Sequence, residues 1–213
     1  AHGAFAMAGG YVVVVGMQRL GWPFLACLPV AFVATALVGA LLERTLYRPM
    51  YGRAHLDQVL FSIGLAFMAV AAVDFAMGSS PQTVQLPEVF RQRFEFGSEP
   101  FVLGMGAYRL FIIAVCVALA LVLQAVLSRT RFGSRLRAAV DDPRVAAGLG
   151  IPVDRIFLVT FAAGSGLAGL GGALGADILG LDPTFPLKYM VYFLIVCAVG
   201  GTSSITGPLL AAL

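Results

Sequence analysis

Few side chains here could do chemistry from inside an apolar run. His2, Tyr11, Gln58, Ser62 and Asp74 are the polar groups that a path for a small polar solute could use. A charge at membrane depth costs about 2.5 kcal/mol or more unless it is paired or hydrated, so each position is weighed against a plain structural role. Asp57 and Gln58 open an apolar run, where Asp57 suits a helix N-cap. Asp74 falls near the far end of the same run, where interfacial water would solvate it. His2 suits a satisfied structural histidine, and Lys188 needs only to snorkel.

Other chemistries lack their residues. The chain has no Ser/His/Asp or Cys/His arrangement, no paired carboxylates in one run and no cluster at metal-ligand spacing. It has no GxxxxGK[ST] stretch either, so no ATP site, metal or cofactor is expected, and the chain is not expected to be an enzyme. An intramembrane enzyme is therefore disfavoured.

The elements that must position them are set by composition. Of 213 residues, 60% are hydrophobic and 12% charged, and the mean hydropathy is +0.92. Soluble domains carry about a quarter charged residues. A chain this poor in charge cannot cover a water-facing surface, so lipid is its solvent. The net charge of +3 comes from thirteen arginines and one lysine. The arginines cluster in short segments between apolar runs, which fits membrane topology rather than nucleic acid. Cys27, Cys116 and Cys197 fall in apolar runs without paired spacing and read as small buried hydrophobes.

A hydrocarbon core of roughly 30 Å needs about 20 apolar helical residues. Trp22–Leu42, Asp57–Met77, Tyr108–Leu127 and Ile156–Leu174 meet that length. Phe5–Met17 and Leu187–Val199 are shorter, and Gly207–Leu213 opens another apolar stretch. The expectation is one all-α transmembrane domain over 1–213, a fragment whose N-terminal and C-terminal spans are missing. The segments Glu43–His55 and Ser128–Arg155 hold most of the arginines and are separated by two spans, which places both in the cytoplasm. The stretch Gly78–Gly106 is then external, and its runs Arg93–Phe96 and Phe101–Leu103 suit a small hairpin.

Two stretches carry more than topology. Gly164, Ala168, Gly171, Gly172 and Gly175 form a small-residue stripe at helical spacing, which lets helix backbones approach closely. In Arg131–Ile151, Asp142 can cap a helix that begins at Pro143 and Gly150 can end it. Two short amphipathic helices joined at Pro143 follow, with Leu136, Ala139, Val140, Val145, Ala146 and Leu149 on the apolar face. Such a pair suits a surface helix on lipid headgroups or a docking element for a cytoplasmic partner, and the pattern alone leaves both open.

The Arg131–Ile151 stretch resembles the coupling loop of branched-chain amino-acid ABC permeases of the LivH type, binding-protein-dependent permeases of the inner membrane. The resemblance rests there on Gly133, Arg137, Ala138, Asp142, Pro143, Ala146, Leu149, Gly150 and Ile151. Further blocks match in family order: Ala1-His2-Gly3 with Phe5 and Gly10-Tyr11-Val12, Glu43 to Met50, Leu56 to Leu60 with Ile63-Gly64-Leu65, Tyr108 to Ile112, and Gly200 to Gly207. Together they span essentially the whole chain. Ala4 stands where the family has an acidic residue, Ser203 where its turn has a third glycine, and Pro208 where a small residue is usual.

The resemblance implies a multi-pass permease of the bacterial inner membrane that pairs with a second permease subunit. It also implies two cytoplasmic ATP-binding subunits that drive the cycle and a periplasmic substrate-binding protein that delivers branched-chain amino acids or similar small polar solutes. An ABC permease for urea, short amides or sugars is the near alternative. A secondary transporter or channel without ATPases is the distant one, and the chain lacks the midplane carboxylate such carriers usually show.

Overall fold

A computed structural model describes residues 2–84, 87, 90, 93–96, 103–201 and 206–212. Helices dominate, and the sequence shows why. Leu, Val, Ala, Phe and Gly fill runs of 19 to 27 residues with few charges, so the backbone satisfies itself within each run. The long helices are α1 (His2–Leu20), α2 (Phe24–Leu42), α3 (His55–Met77), α4 (Ala107–Arg129) and α7 (Val153–Leu179). Among the described residues five segments, with α2 extended to Met50, are long and apolar enough to cross a membrane.

Shorter elements lie between and after them: α5 (Arg131–Asp141), α6 (Pro143–Gly148), α8 (Phe185–Lys188), α9 (Met190–Gly200) and α10 (Thr206–Ala211). Helix α7 starts three residues before the apolar run and outlasts it by five, because the polar Asp154 and Arg155 extend its first turn beyond the apolar stretch. Asp57 does not cap α3: Ala54 takes that position, and Asp57 sits in the first turn, where its charge still complements the helix dipole. Cys27 is buried, whereas Cys116 and Cys197 are exposed on their apolar helices rather than held in a core.

The chain forms two compact units, 1–84 with 157–213, and 85–156. In the first, α1, α2 and most of α7 meet along a seam of small residues. A side chain at Gly9 would overlap the backbone of Gly169, and one at Gly172 would overlap that of Ala6. Gly39 faces Ser165, Gly169 faces Thr35, and Gly166 lies 2.8 Å from the Phe32 ring by the same measure. Helices with no Cβ at the crossing gain contact along their backbones, which is what holds helices together in lipid. Thr35, buried in the seam, donates its hydroxyl to the Ala31 carbonyl and so leaves no orphan group.

Beyond the seam, Gln82 and Leu181 exchange backbone hydrogen bonds of 2.7 and 3.3 Å, which ties the segment after α3 to the segment after α7. Gly3 packs against Pro186 of α8. The Tyr51 ring meets Phe157 at the start of α7, with centroids 5.7 Å apart.

In the second unit, β1 (Arg93–Phe96) pairs antiparallel with β2 (Leu103–Gly106), from Phe96 opposite Leu103 out to Arg93 opposite Gly106. The first strand matches the expected one. The second runs on from Leu103 rather than ending there, because residues preceding Phe96 need partners that follow Leu103. Phe101 and Val102 lie outside the described residues.

Candidate functional site

Between α2 and α3 the helix changes pitch. Glu43–Tyr47 winds as a π turn and Arg48–Met50 as a 3₁₀ turn, so Tyr47 is carried over the first turns of α3. Single π turns inside helices occur often at functional sites. The Tyr47 ring meets Phe61 edge-on at 5.4 Å and Phe161 at a tilt at 4.8 Å. Below it opens a cavity of about 240 Å³ lined by Tyr47, Met50, Tyr51, Gln58, Val59, Phe61 and Ser62.

Gln58 and Ser62, one helical turn apart on α3, thus share this cavity. Gln58 donates its side-chain amide to the Arg53 carbonyl at 3.1 Å, and Ser62 donates to the Val59 carbonyl at 2.9 Å. The Tyr47 hydroxyl is buried and has no hydrogen-bond partner among the described residues. Behind the cavity, Tyr51 donates its hydroxyl to Glu43 Oε1 at 3.3 Å, and Glu43 is only 3% exposed. Burial first, and then the neighbouring Glu43 charge and hydrogen bond, push the Tyr51 hydroxyl up to about 12.

The remaining path residues lie elsewhere. Tyr11 is buried on α1 with its hydroxyl unpartnered among the described residues. Asp74 is exposed near the end of α3 and accepts from the Ser79 hydroxyl at 2.6 Å. Asp182 accepts from Thr184 at 2.6 Å. His2 is exposed in the first turn of α1. Of the expected path residues, Gln58 and Ser62 share the cavity, whereas His2, Tyr11 and Asp74 do not line it.

Sequence reasoning missed Tyr47, Met50, Tyr51, Val59 and Phe61 as lining residues, and Glu43 behind them. Glu43, Tyr47 and Met50 lie in the Glu43–Met50 block, which reads as part of an arginine-bearing segment and of the family resemblance but not as part of a path.

The α5–α6 pair is built by local rules. Thr130 caps α5 by accepting from the Gly133 amide. A side chain at Gly133 would overlap the Leu127 backbone, so glycine permits the sharp corner from α4. Arg137 donates to the Leu127 carbonyl, placing a cation at the open end of α4. Asp142 Oδ1 accepts from the amides of Arg144 at 2.9 Å and Val145 at 3.0 Å, with Pro143 as the first residue of α6. The far end closes as a Schellman turn. Gly150 takes φ +81°, Ile151 N donates to Ala146 O, and Gly150 N donates to Ala147 O.

These bonds sort the expected coupling residues. Gly133, Arg137, Asp142, Pro143, Gly150 and Ile151 hold the two helices in shape. Ala146 is buried, Ala138 half-buried, and Leu149 76% exposed. Val140 and Val145 are also well exposed, so the outward apolar face consists of Val140, Val145 and Leu149. Leu136 and Ala139 turn inward.

The small-residue stripe of α7 sorts likewise. Gly172 makes a close approach within the chain, whereas a side chain at Gly164 or Gly171 would meet nothing within 4 Å. Gly175 lies near only Leu179 of its own helix, and Ala168 is half-buried. Within the chain the close approach runs through Ser165, Gly166, Gly169 and Gly172, and it shares Gly172 with the stripe read in the sequence.

The sequence profile of the family described as branched-chain amino acid transport system / permease component matches residues 1–213. The high-affinity branched-chain amino acid transport system permease protein LivH of Escherichia coli is 28% identical, over 100% of this chain and 72% of its own. BraD of Pseudomonas aeruginosa, of the same description, is 26% identical over 100% and 72%. A probable branched-chain amino acid transport permease protein LivH of Methanocaldococcus jannaschii is 28% identical over 99% and 66%. No solved structure matches.

Proposed function

The chain belongs to the branched-chain amino acid transport permease family, and on that premise we propose that it carries branched-chain amino acids or similar small polar solutes across the bacterial inner membrane. It is a multi-pass membrane protein and a permease rather than a catalytic subunit. In this reading it pairs with a second permease subunit, a periplasmic binding protein delivers the solute, and two cytoplasmic ATP-binding subunits hydrolyse the nucleotide. Movement of those subunits reaches the membrane helices through α5 and α6.

The observation that carries this reading is the outward face of that pair. Val140, Val145 and Leu149 are exposed on a helix pair whose ends are already fixed, and Arg131, Arg135 and Arg144 are exposed on the same pair. Exposed apolar residues on an element that also carries arginines suit a small docking contact on a protein with an acidic rim, where one or two central residues carry most of the affinity.

The double substitution Val145→Glu/Leu149→Glu tests it. Ala146 is less suited, because its burial would confound docking with folding. The double variant should insert normally yet lose the ATPase subunits on purification, together with ATPase stimulation by the solute-loaded binding protein. The expected loss of docking is about 2 kcal/mol or more. A variant that keeps both partner and stimulation would reduce α5–α6 to a pair of surface helices.

A further inference from the structure

Resting on the reading of this chain as an amino-acid permease, we propose that the cavity between the Glu43–Tyr47 π turn and the first turns of α3 is a solute contact site that takes a primary ammonium group bearing a short apolar tail. The case is a count of donors and acceptors. Gln58 gives one of its two amide N–H groups to Arg53, which leaves the second N–H and Oε1 without a bond among the described residues. Ser62 spends its proton on Val59 and Tyr51 spends its own on Glu43, so both hydroxyl oxygens can only accept. Tyr47 alone has a hydroxyl free to give or receive.

The cavity therefore offers four oxygen acceptors (Gln58 Oε1 and the hydroxyls of Ser62, Tyr51 and Tyr47) against two donors, the Tyr47 hydroxyl and the second Gln58 N–H. An ammonium group is donor-only and matches that excess, whereas a carboxylate would use the two donors and leave the other acceptors unmatched. Glu43 adds to the bias. Its buried carboxylate accepts from Tyr51 and polarises that hydroxyl toward accepting again.

The rest of the lining suits the tail. Met50, Val59 and Phe61 give an apolar wall, and methionine adapts to differently branched shapes. The volume, about 240 Å³, is several times the roughly 30 Å³ share of one water and so admits a small solute.

The test uses the full-length permease in its assembled complex, reconstituted in nanodiscs without the binding protein, with radiolabelled leucine as probe. Isoamylamine keeps the ammonium and the tail, and 4-methylpentanoate keeps the tail and the carboxylate. Isoamylamine should displace leucine and 4-methylpentanoate should not. Tyr47→Phe and Gln58→Leu should each weaken leucine binding about tenfold, the loss of one hydrogen bond to a charged group.

Displacement by the acid instead of the amine overturns the ammonium assignment. Unchanged leucine affinity in both variants, or no leucine binding by the wild type at millimolar concentration, overturns the site while leaving transport intact. A wild-type complex whose ATPase responds to its loaded binding protein but which never carries leucine overturns the amino-acid reading, and the site with it.

Discussion

The α1–α2–α7 seam and the α5–α6 pair use small residues for the same purpose and large ones for opposite purposes. In the seam, Gly9, Gly39, Gly166, Gly169 and Gly172 bring backbones together. In the pair, Gly133 lets α5 fold back on the end of α4, and Ala139 and Ala146 are buried. Small residues thus mark contacts made within the chain in both regions. The large apolar residues of the pair, Val140, Val145 and Leu149, point away from its fixed ends and remain free for something else. Exposed leucines and valines on α2 and α3 face outward too, but those helices carry no arginines along their apolar length, which suits lipid rather than a protein partner.

The strongest way to break this comparison is to place a side chain in the seam. Gly172→Leu should cost at least about 3 kcal/mol and abolish complex assembly, because the neighbour that must yield is the Ala6 backbone. Gly171→Leu, one residue around the helix, should assemble normally, since a Cβ there meets nothing within 4 Å. Complex yield by size-exclusion chromatography separates the two. Equal yields from both variants would mean that the seam does not hold this unit together.

Next in size is the corner of the pair. Gly133→Leu would drive a side chain into the Leu127 backbone and should misplace α5 at a cost of about 2 kcal/mol. Membrane insertion should persist while limited proteolysis opens 128–150. A protease-resistant segment in that variant would show that α5 has room to move, and the comparison with the seam would then fail.

The seam and the pair were not equally legible in the sequence. Caps are local signals, so Asp142 before Pro143 and Gly150 after the last turn predicted both ends of α6, and each makes the expected bonds. The buried face of α7 is not local. Gly164, Ala168, Gly171 and Gly175 repeat at helical spacing as convincingly as Ser165, Gly169, Gly172 and Ala176 do. What decides between them is that Gly9 and Ala6 of α1 present their backbones to the second set, and no spacing within α7 records that. The cavity was half legible. Gln58 and Ser62 stand out as polar residues one turn apart on an apolar helix, whereas Tyr47 reaches them only through a π turn, a change of pitch with no composition signature.

A smaller effect is expected from the cap between α5 and α6. Asp142→Ala removes the acceptor for two amides and should cost about 1 kcal/mol, read as faster amide hydrogen exchange at Arg144 and Val145. Asp142→Asn should restore most of it, because the amide oxygen can accept the same bonds. If α5–α6 docks as an already ordered element, ATPase affinity should fall with the cap in the alanine variant and return in the asparagine one. Loss of the cap without loss of affinity would mean that the partner, rather than the local sequence, orders α6.

The smallest effect concerns the polar contact in the seam's own unit, and it asks whether contacts there are spent when they are not made by glycine. Tyr51 donates to buried Glu43, and burial together with that charge raises its ionisation to about 12, from an ordinary value near 10. A group whose folded value lies above its unfolded one contributes stability that is fully present below pH 10 and is lost as pH rises toward 12. Tyr51→Phe has no such proton to lose, so the melting-temperature difference between wild type and variant should be constant from pH 7 to 9 and shift against the wild type between pH 10 and 12. Because Tyr51 is 45% exposed, solvent screens the Glu43 charge and the shift should be slight. A difference already drifting below pH 9 would mean that Tyr51 ionises as a free tyrosine or earlier. Glu43 would then lack a firmly bound donor, and the buried carboxylate would be available to something other than Tyr51.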